Sequence, residues 1–594
     1  MNAANALQRA LALHQQGKLL EAGEIYRDIL AKDPDQVDAL SLMGVVMQAA
    51  GDLETAEALL NRATELAPDY FAPFANLGNV LQAAGRVNAA IDTFRRALEL
   101  NPKSVETANN MASAMNEVGR FDAALKASER ALSLLPRFPE ALVNKGNALL
   151  GLGRAEEAVA AYRKALKLAP GHGNALFNLG NALVDLERFE DAIEPYSKAV
   201  ARDQGNAEKH FNLANALMKA DRLDQCLAPF ETALALKPGY VDALCNYASA
   251  LQALGRSADA VKLMQKALAF QPESPDLHWN LALAALQNGD YATGWSEYEW
   301  RWQTPTFADF RREFAKPEWD GTALDGRTIL VHTEQGFGDN LQFCRFVPMV
   351  AAAGGKVVLE CRPQLQRLFE TLDGVETCIA LGAAPPPFDV HAPLMSLPRI
   401  FGTTLETIPD TIPYLVVPDG VAADPRIAAA DGIKIGLAWA GSPTRVDNHK
   451  RSVAFRDLVP LLGIDGISLF SLQVGDANEQ LAGFNEPPAV TDLSLGFNDF
   501  ADTAAAVAAL DLVISVDTSV LHLAGALGKP AWGLMSQPTG FLWMDTRTDS
   551  PWYPSLRLFR QPTPGDWCSV VDAVVAELRD VAAAGGSAAL NRPR

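Results

Sequence analysis

GNALLGLGRAEEAVAAYRKALKLAP, residues 146–170, has a near copy at residues 78–102, GNVLQAAGRVNAAIDTFRRALELNP. The copies are two periods of 34 residues apart, and the period runs through half the chain. Prolines stand at 34, 68, 102, 136, 170, 238 and 272, with Gln204 the one break. A second column holds Ala22, Ala56, Ala90, Ala124, Ala158, Ala192, Cys226, Ala260 and Gly294, and a third Gly44, Gly78, Ala112, Gly146, Gly180, Ala214, Ala248 and Ala282. Small residues in phase let two antiparallel helices approach closely, and the proline closes one unit before the next opens. The spacing therefore predicts stacked helix pairs.

These fragments resemble the tetratricopeptide repeat from residue 5 to about 300. The resemblance implies a superhelix with a concave groove, usually a peptide-binding surface. Asn76, Asn110, Asn144, Asn178, Asn212, Asn246 and Asn280 recur on the first helix of seven units, and Asn79, Asn147, Asn181 and Asn215 follow three residues on, on the same face. An amide carries donors and an acceptor, so such a ladder suits an extended peptide backbone of any sequence. Bridging of neighbouring repeats is the other reading. The ladder resembles the one in the repeat domain of eukaryotic O-GlcNAc transferase, where it grips protein acceptors.

The formal net charge of −20 over 594 residues speaks against a general nucleic-acid binder, which needs a basic footprint. Six scattered cysteines lack metal or disulfide spacing and read as reduced thiols of a cytoplasmic protein. Neither a signal peptide nor a bilayer-spanning run is read. Beyond the repeats, Trp295, Tyr298, Trp300 and Trp302 read as an interdomain core. From residue 328, strand patterns (TILVH, KVVLEC, KIGLAWAG, GISLFSLQVG, DLVISVD, PAWGLMS) alternate with helical ones. The architecture expected is multidomain: an all-α superhelix over 1–302, then a pair of doubly wound α/β domains over 303–420 and 421–580, and a flexible tail over 581–594.

In such sheets ligands sit beyond the C-terminal strand ends, which singles out three turns. EQGFGD (334–339) offers Gly336 and Gly338 for close approach and Asp339 as helix cap or general base, with Glu334 and His332 as rival bases; His332 reads rather as a strand residue. AWAGSPTRVDNHKRS (438–452) ends a strand at Trp439 and Gly441 and gathers Arg445, His449, Lys450 and Arg451, either a solvated cluster or an anion site. ISVDTSVLHLAGALGKP (514–530) delivers Asp517, Thr518 and Ser519 to the start of a helix carrying His522, where backbone N–H groups can seat a phosphate. Neither a Walker pattern nor a GxGxxG fingerprint occurs. DTRTD (545–549) reads as loop, and no metal site is expected.

The pair ILVHTEQGFGD and DLVISVDTSVLHLAGALGKP resembles GT-B glycosyltransferases of the ADP-heptose:lipopolysaccharide heptosyltransferase kind, over about 325–580. That resemblance implies Asp339 as base and Asp517, Thr518 and His522 at the donor phosphates; Ser519 stands where that family usually has glycine. The joint arrangement also looks like soluble flagellin glycosyltransferases of bacteria. This implies transfer of a nonulosonic acid (pseudaminic or legionaminic acid) from its CMP derivative to Ser or Thr of flagellin in the groove, with no cofactor besides the nucleotide sugar. Two alternatives stay open: a UDP-GlcNAc-dependent O-GlcNAc-type transferase, and a non-catalytic scaffold or export chaperone.

Overall fold

The computed structural model describes residues 3–308, 310–445, 448–483, 490–584 and 590. It divides into two compact units, Met1–Pro238 and Gly239–Arg594.

The first unit is seven antiparallel helix pairs, from Ala3–Gln15 to Leu223–Leu236. The small-residue columns explain the pairing. A Cβ on Gly78 would lie 2.4 Å from the ring of Phe94, and one on Gly146 or Gly180 2.4 Å from Tyr162 or Tyr196. Each glycine thus receives a large side chain from the second helix of its own repeat. Where the first helix has Ala112, the facing position shrinks to Ser128, which is fully buried and bonds back to Ala124 O. The turn inside each pair needs a left-handed residue: Gly17, Gly51, Gly85, Gly119 and Gly153 supply it, while Glu187 and Asp221 adopt it at φ 56°.

The second unit opens with two more pairs, Val241–Ala253 with Ser257–Leu268 and Pro275–Asn288 with Tyr291–Tyr298. The repeats therefore continue to Tyr298, yet the compact units part at residue 238, not at 302. Tyr291, Trp295 and Tyr298 join one core with residues from both sheets of the α/β region. Trp552 Nε1 donates to Tyr291 Oη at 2.9 Å, and Trp295 meets Phe343 edge-on at 5.7 Å. Trp300 and Trp302 stay partly exposed: Trp300 stacks on His278 at 3.8 Å, and Trp302 lies beneath the Arg301 guanidinium.

Two parallel sheets follow. The first has strands β1 (Thr328–His332), β2 (Lys356–Cys361), β3 (Val375–Ala380) and β4 (Val390–Pro393), in the order β3-β2-β1-β4. The second has β5 (Ile433–Ala438), β6 (Ile467–Ser471), β7 (Val490–Asp492), β8 (Leu512–Val516), β9 (Ala531–Met535) and β10 (Leu556–Arg560), in the order β10-β9-β8-β5-β6-β7. The architecture is the expected one, tetratricopeptide pairs followed by two doubly wound α/β domains. Both sheets reverse direction of growth at one point, between β1 and β4 and between β5 and β8, and ligands of such sheets bind at those crevices. The C-terminal helix Trp567–Ala583 packs Val570, Val574 and Val581 onto the second sheet. This corrects the start of the expected tail, since 581–583 are helical; residues 585–589 and 591–594 lie outside the described residues.

Candidate functional site

All three turns leave the sheets at the crevices: 334–339 after β1, 438–452 after β5, and 517–522 after β8. The helix Phe337–Phe343 that follows the first packs against Ser519–Ala526, which follows the third. Gly338 makes this approach possible, because a Cβ there would lie 2.9 Å from Cδ2 of His522. Its role is helix packing against the histidine ring. Gly336 is the N-cap of its helix and its N–H donates to Asp339 Oδ2 at 3.1 Å.

Asp339 therefore caps a helix and also sits where charge matters. Burial raises its pKa, as does Asp517, against the Gly336 N–H, Arg445 and Arg451. A carboxylate whose proton affinity is raised at a strand-end crevice is chemically suited to take a proton. Glu334 differs. Arg301 holds it with two bonds, Nη2 to Oε1 at 2.8 Å and Nε to Oε2 at 3.1 Å, and its side chain is 4 % exposed. That ion pair ties the end of the last repeat to the β1 turn and engages both carboxylate oxygens of Glu334. His332 ends β1, buried, its ring 5.2 Å from that of Phe314; burial lowers its pKa to about 3, keeping it neutral.

Asp517 directly follows β8 and is partly exposed. Burial works to raise its pKa, but Arg451, His522, Trp543 and Arg445 outweigh it and hold the group below the usual range. Arg451 Nη2 reaches both Asp517 Oδ2 and its carbonyl at 2.5 Å. His522 presents Nε2 to Asp517 Oδ1 at 3.8 Å, and its Nδ1 lies 3.0 Å from Tyr553 Oη. Burial lowers the His522 pKa to about 4 despite Asp517, so the ring is a neutral hydrogen-bonding group at pH 7. Thr518 is the N-cap of Ser519–Ala526, its hydroxyl 2.9 Å from Ser515 Oγ, and Ser519 starts the helix partly exposed. Asp517 thus does not cap that helix; Arg451 holds its carboxylate instead.

In the second turn, Trp439 is a core residue. It is fully buried, packed on Phe455 at 4.9 Å in the core of the second sheet. At the strand end Trp439 and Ala440 donate their N–H groups to Gln473 Oε1 at 3.0 and 2.9 Å. Gly441 approaches Asn448 closely, its N–H donating to Ser452 Oγ. Arg445, His449 and Lys450 are exposed, and Arg445 acts electrostatically on both Asp339 and Asp517. Val446 and Asp447 lie outside the described residues. Among the described residues no group of three or more His, Cys, Asp or Glu side chains is placed to hold a metal ion.

Four residues of this constellation have no signal in the sequence pattern. Trp543 packs on the His522 ring at 5.2 Å, and Tyr553 bonds it. Arg345, 3 % exposed, donates to Trp552 O and lies over Tyr414 and Tyr553. Gly540 places its α-carbon where a Cβ would be 3.8 Å from Asp517 Oδ2. They come from a helix end and an irregular connection, with no periodicity to mark them.

The asparagine columns bridge repeats. Asn110 Nδ2 donates to Asn79 Oδ1 and Asn178 to Asn147 Oδ1, both at 2.8 Å; Asn212 donates to Asn181 Oδ1 at 3.4 Å, Asn144 to Asn109 Oδ1, and Asn76 to Ser41 Oγ. Tyr162 and Tyr196 add a hydroxyl each to Asn147 and Asn181. Apart from buried Asn109, these Asn side chains remain partly exposed, as do Asn246 and Asn280. The ladder is thus an internal network with one accessible face.

Tetratricopeptide-repeat families match residues 13–78, 73–104 and, in five overlapping segments, 112–294. The chain is 30% identical over 333 residues to Protein FlbA of Caulobacter vibrioides, covering 51% of this chain and 54% of that protein. It thus spans about half the length of the curated relative it matches. Among solved structures it is similar to YrrB, a tetratricopeptide protein with an unusual peptide-binding site, at 26% identity and TM-score 0.29 over 30% of this chain and 93% of that one. It is also similar to a thermophilic tetratricopeptide protein of Thermus thermophilus, at 26% identity and TM-score 0.27 over 30% and 98%.

Proposed function

We propose that the α/β pair is a GT-B-type glycosyltransferase acting on protein hydroxyls, with the tetratricopeptide region recruiting the acceptor. The observation that carries this reading is the packing of Phe337–Phe343 against Ser519–Ala526, which gathers Asp339, Asp517, His522 and Arg451 at strand-end crevices of both sheets. In this reading a Ser or Thr hydroxyl attacks the anomeric carbon while Asp339 accepts its proton. The sugar–phosphate bond breaks as the new bond forms, and the phosphate leaves with the electron pair. Its charge is met by the basic turn, the helix N-terminus behind Thr518 and Ser519, and the neutral imidazole of His522. Preoriented donors of this kind supply the largest share of such a rate enhancement. The donor of the proposal is a CMP-linked nonulosonic acid and the acceptor flagellin; a UDP-GlcNAc donor is the second reading of the same site.

Calorimetric titration with CMP, UDP, GDP and ADP tests it. We expect CMP to bind, and Arg451→Ala or His522→Ala to weaken binding at least tenfold. Preference for UDP would move the reading to a GlcNAc-type donor. No nucleotide binding, even with acceptor peptide present, would replace it with a scaffold. Asp339→Asn is expected to lower turnover at least a hundredfold with nucleotide affinity unchanged, read by single-turnover transfer; unaltered turnover removes Asp339 as the base.

A further inference from the structure

We propose that a cavity of about 130 Å³, formed by the last repeats and the turns after β9 and β10, holds an uncharged stretch of the acceptor polypeptide. The proposal rests on the protein-acceptor reading above and names where the chain is gripped beside the donor turn. Gln252 and Gln287 line it from the repeats; Gln537, Thr539 and Gln561 line it from the α/β side. A water needs only about 10–15 Å³ of such space, so the cavity has room for an amino-acid residue.

Its chemistry selects the occupant. Both charged groups at its wall are satisfied within the protein. Asp545 accepts from Ser257 N, Ser257 Oγ and Gln287 Nε2 at 3.2, 3.0 and 2.7 Å. Arg560 donates to the carbonyls of Arg547 and Trp543 and to Thr539 Oγ1. A phosphate or a charged side chain therefore finds no unmatched partner, and burying a charge there is costly. Side-chain amides can each offer a donor and an acceptor, matching the N–H and C=O of a peptide group. One of them is an orphan. Gln561 is 4 % exposed; its Oε1 accepts from Gln537 N and Gly565 N, and its Nε2 has no partner among the described residues. Gln561 lines the cavity with this donor enclosed, so a carbonyl oxygen there would satisfy it once the side chain turns outward, and an unmet buried donor is destabilising. No aromatic ring lines the cavity, so the flat apolar support on which a sugar ring commonly stacks is missing.

Position points the same way. Thr539 is next to Gly540, which approaches Asp517, and Trp543, on the same connection, packs on His522. On the other side, Gln287 lies seven residues after Asn280 on the helix Pro275–Asn288. Two turns bring it back to the same face about 10 Å along. Gln252 joins it at 3.5 Å. A chain lying along the Asn280 face reaches this cavity before the donor turn.

The test uses the full chain labelled with 15N-glutamine, titrated with N-acetylserine N-methylamide, and separately with glucose. We expect the capped serine to shift the side-chain amide signals of Gln252, Gln287 and Gln561, and Gln561→Leu to weaken its binding about tenfold. Gln252→Leu, on a partly exposed helix position, gives the same reading should Gln561→Leu fail to fold. Shifts with glucose alone, shifts with neither probe, or shifts that both variants leave unweakened overturn the proposal. Calorimetry with CMP and UDP on the same preparations separates the two ideas. Nucleotide binding without the peptide shifts sinks the cavity alone, whereas peptide shifts without nucleotide binding keep it as a peptide site and sink the transferase reading.

Discussion

His522 shows how a residue's chemistry is decided by what surrounds it. Tyr553, Trp543 and Gly338 enclose the ring, and burial holds its pKa at about 4. An unfolded histidine titrates near pH 6.5. Between those values the unfolded chain binds a proton that the native protein does not, so stability rises with pH across the window and levels off above it. His522 alone should remove about 2 kcal/mol of stability between pH 7 and pH 5. Urea unfolding at both pH values should show a smaller acid loss in His522→Gln; equal losses would mean that the ring is solvated. His522 as a candidate was legible from its place after an apolar strand. Its neutral state was not, because Tyr553 and Trp543 reach it from a distant loop. Trp439 and Glu334 show the reverse: both lie just beyond strand ends, yet the ring of Trp439 turns into the core and Glu334 meets Arg301 from the last repeat.

At the scale of the element, the repeat is a lock between a small residue and a large one. In Gly146→Ala the new methyl would meet Tyr162 at 2.4 Å, at a cost of about 1–3 kcal/mol. Tyr162→Ser recreates the natural pairing of Ala112 with Ser128. The double variant should therefore lose at least ~1 kcal/mol less than the sum of the two single variants, read from chemical unfolding; simple additivity would show that the two positions do not share space. Glu187 occupies a left-handed turn at φ 56° where five of the other pairs in the first unit have glycine. Glu187→Gly should raise stability by about 1 kcal/mol, visible as a higher thermal midpoint; no rise means the turn relaxes in solution. The glycine and alanine columns announced these locks, since a missing side chain at a fixed period has few other uses. The asparagine columns left two readings open, and folding joined them into a bonded network, because residues 31 or 35 apart become neighbours only when repeats stack.

At the scale of the whole molecule, the repeats and the sheets share a core. Tyr291, Trp295 and Tyr298 are buried with Phe343 and Trp552, and losing even one such aromatic typically costs about 3–5 kcal/mol. A chain of residues 239–594 should unfold in one cooperative transition, whereas 303–594 should be insoluble or lack one, as circular dichroism during heating would show. A well-folded 303–594 would place the boundary at 302 after all. The sequence by itself determined the repeat, its closing prolines and packing columns, and six of the ten strands, since periodicity and apolar runs are local properties of a chain. It also marked the three turns, because polar residues directly after buried strands are conspicuous. Of the four that went unread, β4 and β7 have too few residues to show a period, and the edge strands β3 and β10 carry charged residues that break the apolar run. Only the tertiary structure decided which turns meet, which acids are already paired and where the repeat array merges with the sheets. Those outcomes depend on contacts between residues up to 288 positions apart, such as Ser257 with Asp545, and no local pattern encodes the partner.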